Sequence, residues 1–130
     1  MGTKINATFQ VTDWKEHEFD RHAGAGKLSK ASVKKSYTGQ IDGSSVTEWL
    51  MAYADDGSAS FVGLERINAT IEGRTGTLVV QHVGSFKDGA AKAELTVLPD
   101  ANSGDLADVS GRGDFVADPA GTIELELAFV

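Results

Sequence analysis

The sequence predicts an all-β fold, a single domain over residues 1–130 built as a closed antiparallel eight-stranded β-barrel. Three observations carry this. The chain has 130 residues, the size of one domain with its own core. An acidic residue directly precedes glycine at Asp42-Gly43, Asp56-Gly57, Glu72-Gly73 and Asp88-Gly89, at intervals of 14, 16 and 16 residues. Such pairs suit two-residue type I′ turns, whose central residues both need positive φ. Between the pairs the chain is rich in Val, Ile, Thr, Phe, Leu, Tyr and Trp, and no long amphipathic helix interrupts it.

The first strand is expected over 3–14, where Ile5, Ala7, Phe9 and Val11 alternate with Lys4, Asn6, Thr8 and Gln10. Residues 15–27 are dense in charge and end in Gly24-Ala25-Gly26, which reads as a loop. Its Glu16, His17, Glu18, Asp20 and His22 read as solvated side chains rather than metal ligands. Strands over 28–40, 45–54, 59–71, 76–87 and 91–98 follow, joined by the acidic–glycine turns. Residues 100–111 read as a loop with one short helical turn near 105–110, capped by Asp105 and ended at Gly111. Strands over 112–117 and 122–130 complete the set, with a turn at Pro119-Ala120-Gly121; Ile123, Leu125, Leu127 and Phe129 alternate with Thr122, Glu124 and Glu126. Strands of about a dozen residues exceed the usual five or six and favour a closed barrel over a two-sheet sandwich, because closure removes the edges.

Two-residue turns make paired residue numbers sum to an odd constant. The expected sums are 85, 113, 145 or 147, and 177 for the four turns in order. On that rule the inward face runs through Ala31, Val33, Lys35 and Tyr37, then Val46, Glu48, Leu50 and Ala52. It continues through Phe61, Gly63, Glu65, Ile67 and Ala69, then Leu78, Val80, His82, Gly84 and Phe86, and ends with Ala91, Ala93, Leu95 and Val97. Tyr37, Glu48, Glu65 and His82 then form one inward belt, with opposed side chains about 5 Å apart at Cβ. Two carboxylates in a low dielectric push one pKa up, and a carboxylic acid beside an imidazole suits acid–base catalysis near neutrality. The opposite face carries Trp49, Met51, Tyr53, Val62 and Leu64, too apolar for water, and is expected to be an interface.

Net charge is −7, split as +3 over residues 1–38 and −10 over residues 39–130. Such a balance repels phosphate backbones, so no nucleic-acid partner is expected. The absence of cysteine excludes disulfide scaffolds, zinc ribbons and thiol catalysis. No stretch approaches the roughly 20 apolar residues of a membrane span and no signal peptide is visible, so a cytoplasmic protein without a membrane partner is expected. No metal site and no cofactor are expected, since no phosphate loop, dinucleotide fingerprint or nucleophile elbow is present.

The stretch Tyr53-Ala54-Asp55-Asp56-Gly57-Ser58-Ala59-Ser60-Phe61-Val62-Gly63-Leu64-Glu65-Arg66 resembles the signature of a bacterial family known only as the domain of unknown function numbered 3224. Gly73-Arg74-Thr75-Gly76, Gln81-His82-Val83-Gly84-Ser85-Phe86 and Ser103-Gly104-Asp105-Leu106 are similar to it as well. The resemblance implies a barrel like that of allene oxide cyclase, with a lumen for a small apolar molecule. No local motif carries that enzyme's catalytic residues over to this chain.

Three functions follow, in order. The first is a small-molecule-binding barrel with an apolar ligand against Leu50, Phe61, Ile67, Val80, Phe86 and Leu95. The second is a cofactor-free isomerase or cyclase using Glu65, His82, Glu48 and Tyr37. The third is a structural or interaction protein with a packed lumen. A homo-oligomer, with a dimer favoured, is expected through Trp49, Met51, Tyr53, Val62 and Leu64.

Overall fold

The computed structural model describes residues 2–117 and 120–129. Among them nine strands run in chain order: β1 (Thr3–Arg21), β2 (Lys27–Gly39), β3 (Ile41–Tyr53), β4 (Ala59–Ile71), β5 (Arg74–Lys87), β6 (Ala90–Val97), β7 (Ser103–Gly104), β8 (Ser110–Ala117) and β9 (Gly121–Ala128). All pairings are antiparallel, and β4 pairs with both β3 and β5, which closes an eight-stranded barrel in the order β1-β2-β3-β4-β5-β6-β8-β9. The two-residue β7 lies against β5. Among the described residues a single 3₁₀ turn spans Pro99–Ala101, just ahead of the position expected for the helical turn. Residues 105–109 instead carry two i→i+3 backbone bonds, Ala107 to Gly104 and Val109 to Leu106, and send Leu106 and Val109 into the core. Among the described residues no helix is long and apolar enough to cross a membrane. The expected turn at Pro119-Ala120-Gly121 lies partly outside the described residues.

Two of the four acidic–glycine pairs form the expected type I′ turns. Glu72 and Gly73 have φ of 51° and 76°, and Asp88 and Gly89 have 55° and 79°. Their registers pair Glu65 with Val80 and Val83 with Glu94, sums of 145 and 177.

The other two pairs depart from expectation. Asp56-Gly57 belongs to a three-residue loop, Asp55-Asp56-Gly57. The Ala54 N–H bonds the Ser58 carbonyl at 2.8 Å, and Gly57 supplies the left-handed residue at φ 89°. A three-residue loop makes the pairing sum even, as in Tyr53 with Ala59. Asp42-Gly43 is no turn at all, because the chain reverses at Gly39-Gln40 and Tyr37 pairs with Gly43, again an even sum. Gly43 is needed for close approach instead, since a Cβ there would meet the Asn68 carbonyl oxygen at 2.1 Å. Each even sum reverses facing once. The even sum between β2 and β3 therefore inverts β3 relative to expectation, and the even sum between β3 and β4 restores β4. Ser45, Thr47, Trp49 and Met51 point inward, while Val46, Glu48, Leu50 and Ala52 point out.

The segment expected to be a loop at 15–27 is strand as far as Arg21, followed by a turn in which the His22 N–H bonds the Gly26 carbonyl at 3.1 Å. A register shift between Val11 and Asp13 reverses facing there. Val11 pairs with Lys35 ahead of the shift and is exposed where the pairing with β9 has already ended at Phe9, whereas beyond the shift Trp14 and Glu16 share the side of Val33 and Ala31. β9 pairs only with Thr3–Phe9, so β1 runs on past the closed barrel beside β2 alone.

Candidate functional site: an ion pair sealed inside the barrel

Four neighbouring strands deliver polar side chains to one point in the apolar interior. Lys35 and Tyr37 come from β2, Ser45 from β3, Glu65 from β4 and His82 from β5. Lys35, Tyr37, Glu65 and His82 are each 0–1% exposed. Burial on this scale is tolerated only if each group finds a partner.

Glu65 is the hub. Its Oε1 accepts from Lys35 Nζ at 3.5 Å and from His82 Nε2 at 2.8 Å. Its Oε2 accepts from Tyr37 Oη and Ser45 Oγ, each at 2.5 Å. His82 Nδ1 accepts the Trp49 indole N–H at 3.2 Å. That bond settles the tautomer: the proton sits on Nε2, donates to Glu65, and leaves the imidazole neutral.

The protonation states follow from burial set against partners. Burial alone pushes the Glu65 carboxyl up, but the Lys35 ammonium, then His82 and Ser45, outweigh it and hold the pKa at about 2. Burial lowers the Lys35 pKa, partly offset by Glu65. Burial likewise lowers that of His82, again partly offset by Glu65. Burial and then the Glu65 charge raise Tyr37 well above the ordinary phenol value. The centre is thus an ionised carboxylate, an ammonium, a neutral imidazole and a neutral phenol.

The remaining faces of the ammonium are aromatic. Lys35 Nζ lies 4.5 Å from the Phe9 ring centroid, 5.1 Å from Trp49 and 4.9 Å from Phe115. Each ring face offers negative potential to the cation. Phe61 packs on Trp49 at 5.1 Å, and Trp14 covers Trp49 from the mouth side at 5.6 Å. Gly63 and Gly84 make room for this layer: a Cβ at Gly63 would lie 2.4 Å from the Trp49 ring, and one at Gly84 2.7 Å from the Phe61 ring. Nearer the mouth, Glu16 accepts from Ser29 Oγ at 2.6 Å and from the Trp14 indole at 3.1 Å. Burial, then Glu16, raises the Tyr53 phenol to about 12.

Set against the expected belt, Tyr37, Glu65 and His82 meet, although His82 pairs with Gly63 rather than Glu65 and reaches the carboxylate diagonally. Glu48 does not belong: it is on the outer face, 3.9 Å from Lys30, because of the reversal at Gly39-Gln40. Of the expected lining, Phe61, Ile67, Val80 and Leu95 are buried inside. Leu50 is outside for the same parity reason as Glu48, and Phe86, near the end of β5, is exposed. Of the expected interface, Trp49 and Met51 are interior, Tyr53 is half-buried, and Val62 and Leu64 are exposed on the outer face. The odd pairing sum expected for β2 and β3 hides Ser45 and puts Trp49 on the outer face, because it inverts β3. Lys35 carried its own signal: an ammonium among Ala31, Val33 and Tyr37 on an apolar face requires a buried counter-charge, and Glu65 supplies it.

An eight-stranded barrel closed around a buried ion pair is the class that fold and site define. The family profile of the protein of unknown function DUF3224 matches residues 5–129, and the chain belongs to that family. It is similar to the crystal structure of a protein with unknown function from the DUF3224 family from Shewanella oneidensis MR-1. The TM-score is 0.80 at 26% identity, over 100% of this chain and 99% of that one. Among curated proteins, none matches the chain.

Proposed function

We propose that this protein is a non-catalytic interaction module, a barrel with a packed lumen that works through its outer face. The observation that carries the proposal is the Lys35 side chain. Its ammonium occupies the centre of the lumen between Phe9, Trp49 and Phe115, where an apolar ligand would have to lie. A carrier or an acid–base enzyme needs space beside Glu65, and Glu65 already accepts from Lys35, Tyr37, Ser45 and His82. The buried apolar shell round that centre leaves the outer face, with exposed Leu50, Val62, Leu64 and Val83, as the surface that needs a partner.

The test is titration with cis-parinarate and with dansyl-undecanoate, followed by energy transfer from Trp49 and Trp14. The expected result is no saturable signal. A saturable one-to-one complex that also moves the His82 imidazole resonances would overturn the proposal and restore a lumenal ligand.

A further inference from the structure

We infer that the buried centre is an acid-operated switch on the mouth of the barrel: a proton taken up at His82 Nδ1 breaks the bond from the Trp49 indole and releases the Trp14–Trp49 pair that covers the aromatic layer. The switch is independent of which face binds a partner. Its basis is a count of donors and acceptors. His82 Nε2–H donates to Glu65 Oε1 at 2.8 Å, and the lone pair on Nδ1 receives the Trp49 N–H at 3.2 Å. A protonated imidazole is a donor at both nitrogens. Nδ1–H and the indole N–H then point at one another, and Trp49 loses its place.

The other groups that face His82 leave this conflict unrelieved. Glu65 on β4 favours the imidazolium, and Lys35 on β2 opposes it from the same carboxylate oxygen. Tyr37 on β2 and Ser45 on β3 are engaged on the other oxygen. β8 presents the Phe115 ring, 5.4 Å from the imidazole, and β6 presents Leu95, paired directly with His82. Release travels outward by contact. Trp49 lies 5.6 Å from Trp14, which is 43% exposed and is carried by the part of β1 that pairs with β2 alone. Segments with so few partners open most easily. Against Trp49 lie Phe61 and Phe115, at 5.1 and 6.2 Å. Once Trp49 turns away, water reaches both rings and accepts from Nδ1–H. Burial lowers the His82 pKa in the closed state, and hydration returns it towards the ordinary value in the open one. Acid therefore favours the open state, by up to about tenfold in population per pH unit between the two values.

The chain has two tryptophans, so a proton–nitrogen NMR titration of the full chain follows two indole N–H resonances, which Trp14→Phe assigns. From about pH 7.5 downwards, the Trp49 indole and the His82 imidazole are expected to shift with one midpoint below about 6.5. The Trp14 indole is expected to follow at that midpoint, while the backbone amides of β6, β8 and β9 keep their folded dispersion. Acrylamide quenching of the tryptophan fluorescence is expected to rise over the same range. His82→Gln keeps a neutral donor and acceptor in place and is expected to hold the Trp49 resonance fixed. A wild-type Trp49 indole that stays put while His82 titrates, or that moves only as the amide dispersion collapses, overturns the inference whatever the variant does. A Trp49 shift that persists in His82→Gln overturns it as well. Trp14 also donates to Glu16 at 3.1 Å, so a Trp14 shift that survives His82→Gln belongs to that carboxylate and overturns the coupling to the mouth, as does a Trp14 resonance that never moves.

Discussion

Replacing Lys35 by Met keeps the length of the side chain and removes its charge, so it isolates what the ion pair does. The Glu65 carboxylate would stay buried, holding three donors but no counter-charge. Breaking one side of a buried pair costs about 3–5 kcal/mol, because the remaining charge keeps its desolvation penalty. Glu65→Gln leaves the Lys35 ammonium with only its three aromatic rings and carries a cost of the same order, about 3–5 kcal/mol. The double replacement leaves no buried charge. The new amide oxygen still accepts from Tyr37 and Ser45, but its NH₂ faces His82 Nε2–H. The imidazole must then either face a second donor or give up its bond from Trp49. One orphaned donor costs about 1–3 kcal/mol, far below the roughly 6–10 kcal/mol obtained by adding the single changes. Urea unfolding monitored by Trp fluorescence reads this out. With a slope of about 2 kcal/mol/M, each single variant loses about 2 M in midpoint and the double variant about 1 M. Single losses under about 1 kcal/mol, or a double variant as weak as the sum, would refute the reasoning and mean that water reaches the centre.

Two further predictions come from the same interior. Stability is expected to fall on acidification in two stages. His82 is held neutral with a lowered pKa, so below about 6.5 the unfolded chain takes up a proton that the folded chain refuses. Glu65, held at about 2, contributes about 3 kcal/mol above pH 4.5 that disappears as pH falls towards 2. Chemical denaturation across pH 3–8 checks this, and His82→Gln should remove the first stage while retaining the second. The glycines separate two kinds of constraint: Gly63→Ala drives a Cβ into the Trp49 ring and the Glu48 carbonyl, whereas a Cβ at Gly89, φ 79°, meets nothing within 4 Å. Gly63→Ala is expected to cost about 1–3 kcal/mol and change the near-ultraviolet circular dichroism of Trp49, whereas Gly89→Ala costs about 1 kcal/mol and leaves that spectrum unaltered.

The strand pattern and barrel closure were legible because alternation and acidic–glycine spacing are local signals. Facing in β3 was not, because it depends on whether a loop has two residues or three. Asp56-Gly57 reads identically as the centre of a two-residue turn or the end of a three-residue loop. The Ser58 N–H and Oγ bonds to Asp56 Oδ1 that accompany the longer loop are invisible without coordinates. Asp42-Gly43 misled for another reason: its glycine answers the approach of the β4 backbone, not a turn. The same missing information hid the bulge at Val11–Asp13 and so the role of Trp14 as a cover over Trp49. Glu65 and His82 were nonetheless read inward correctly, because the two parity errors fell before β4 and cancelled.

That cancellation points to what the buried centre does for the fold. Side chains alternate with period two, so slipping any of β2 to β5 by one residue moves its entire inward set outside. An apolar barrel whose outer face carries Leu50, Val62, Leu64 and Val83 discriminates poorly against such a slip, since apolar residues occupy both faces of β3 and β4. The ion pair supplies the discrimination. A one-residue slip of β4 would carry Glu65 outside and Arg66 inside, leaving Lys35 buried against a second cation. A slip of β2 that brings Ser36 to the place of Lys35 would leave Glu65 with no ammonium. Either error forfeits at least the roughly 3–5 kcal/mol of a broken buried pair, which is much of the stability of a small domain. The centre therefore ties β2, β3, β4 and β5 to one register, and that register also lines up Lys30, Leu50, Val62, Val83 and Glu94 across the outer face. The interior polar cluster and the exterior row are two consequences of the same strand pairing, so a variant that loosens the first should blur the second.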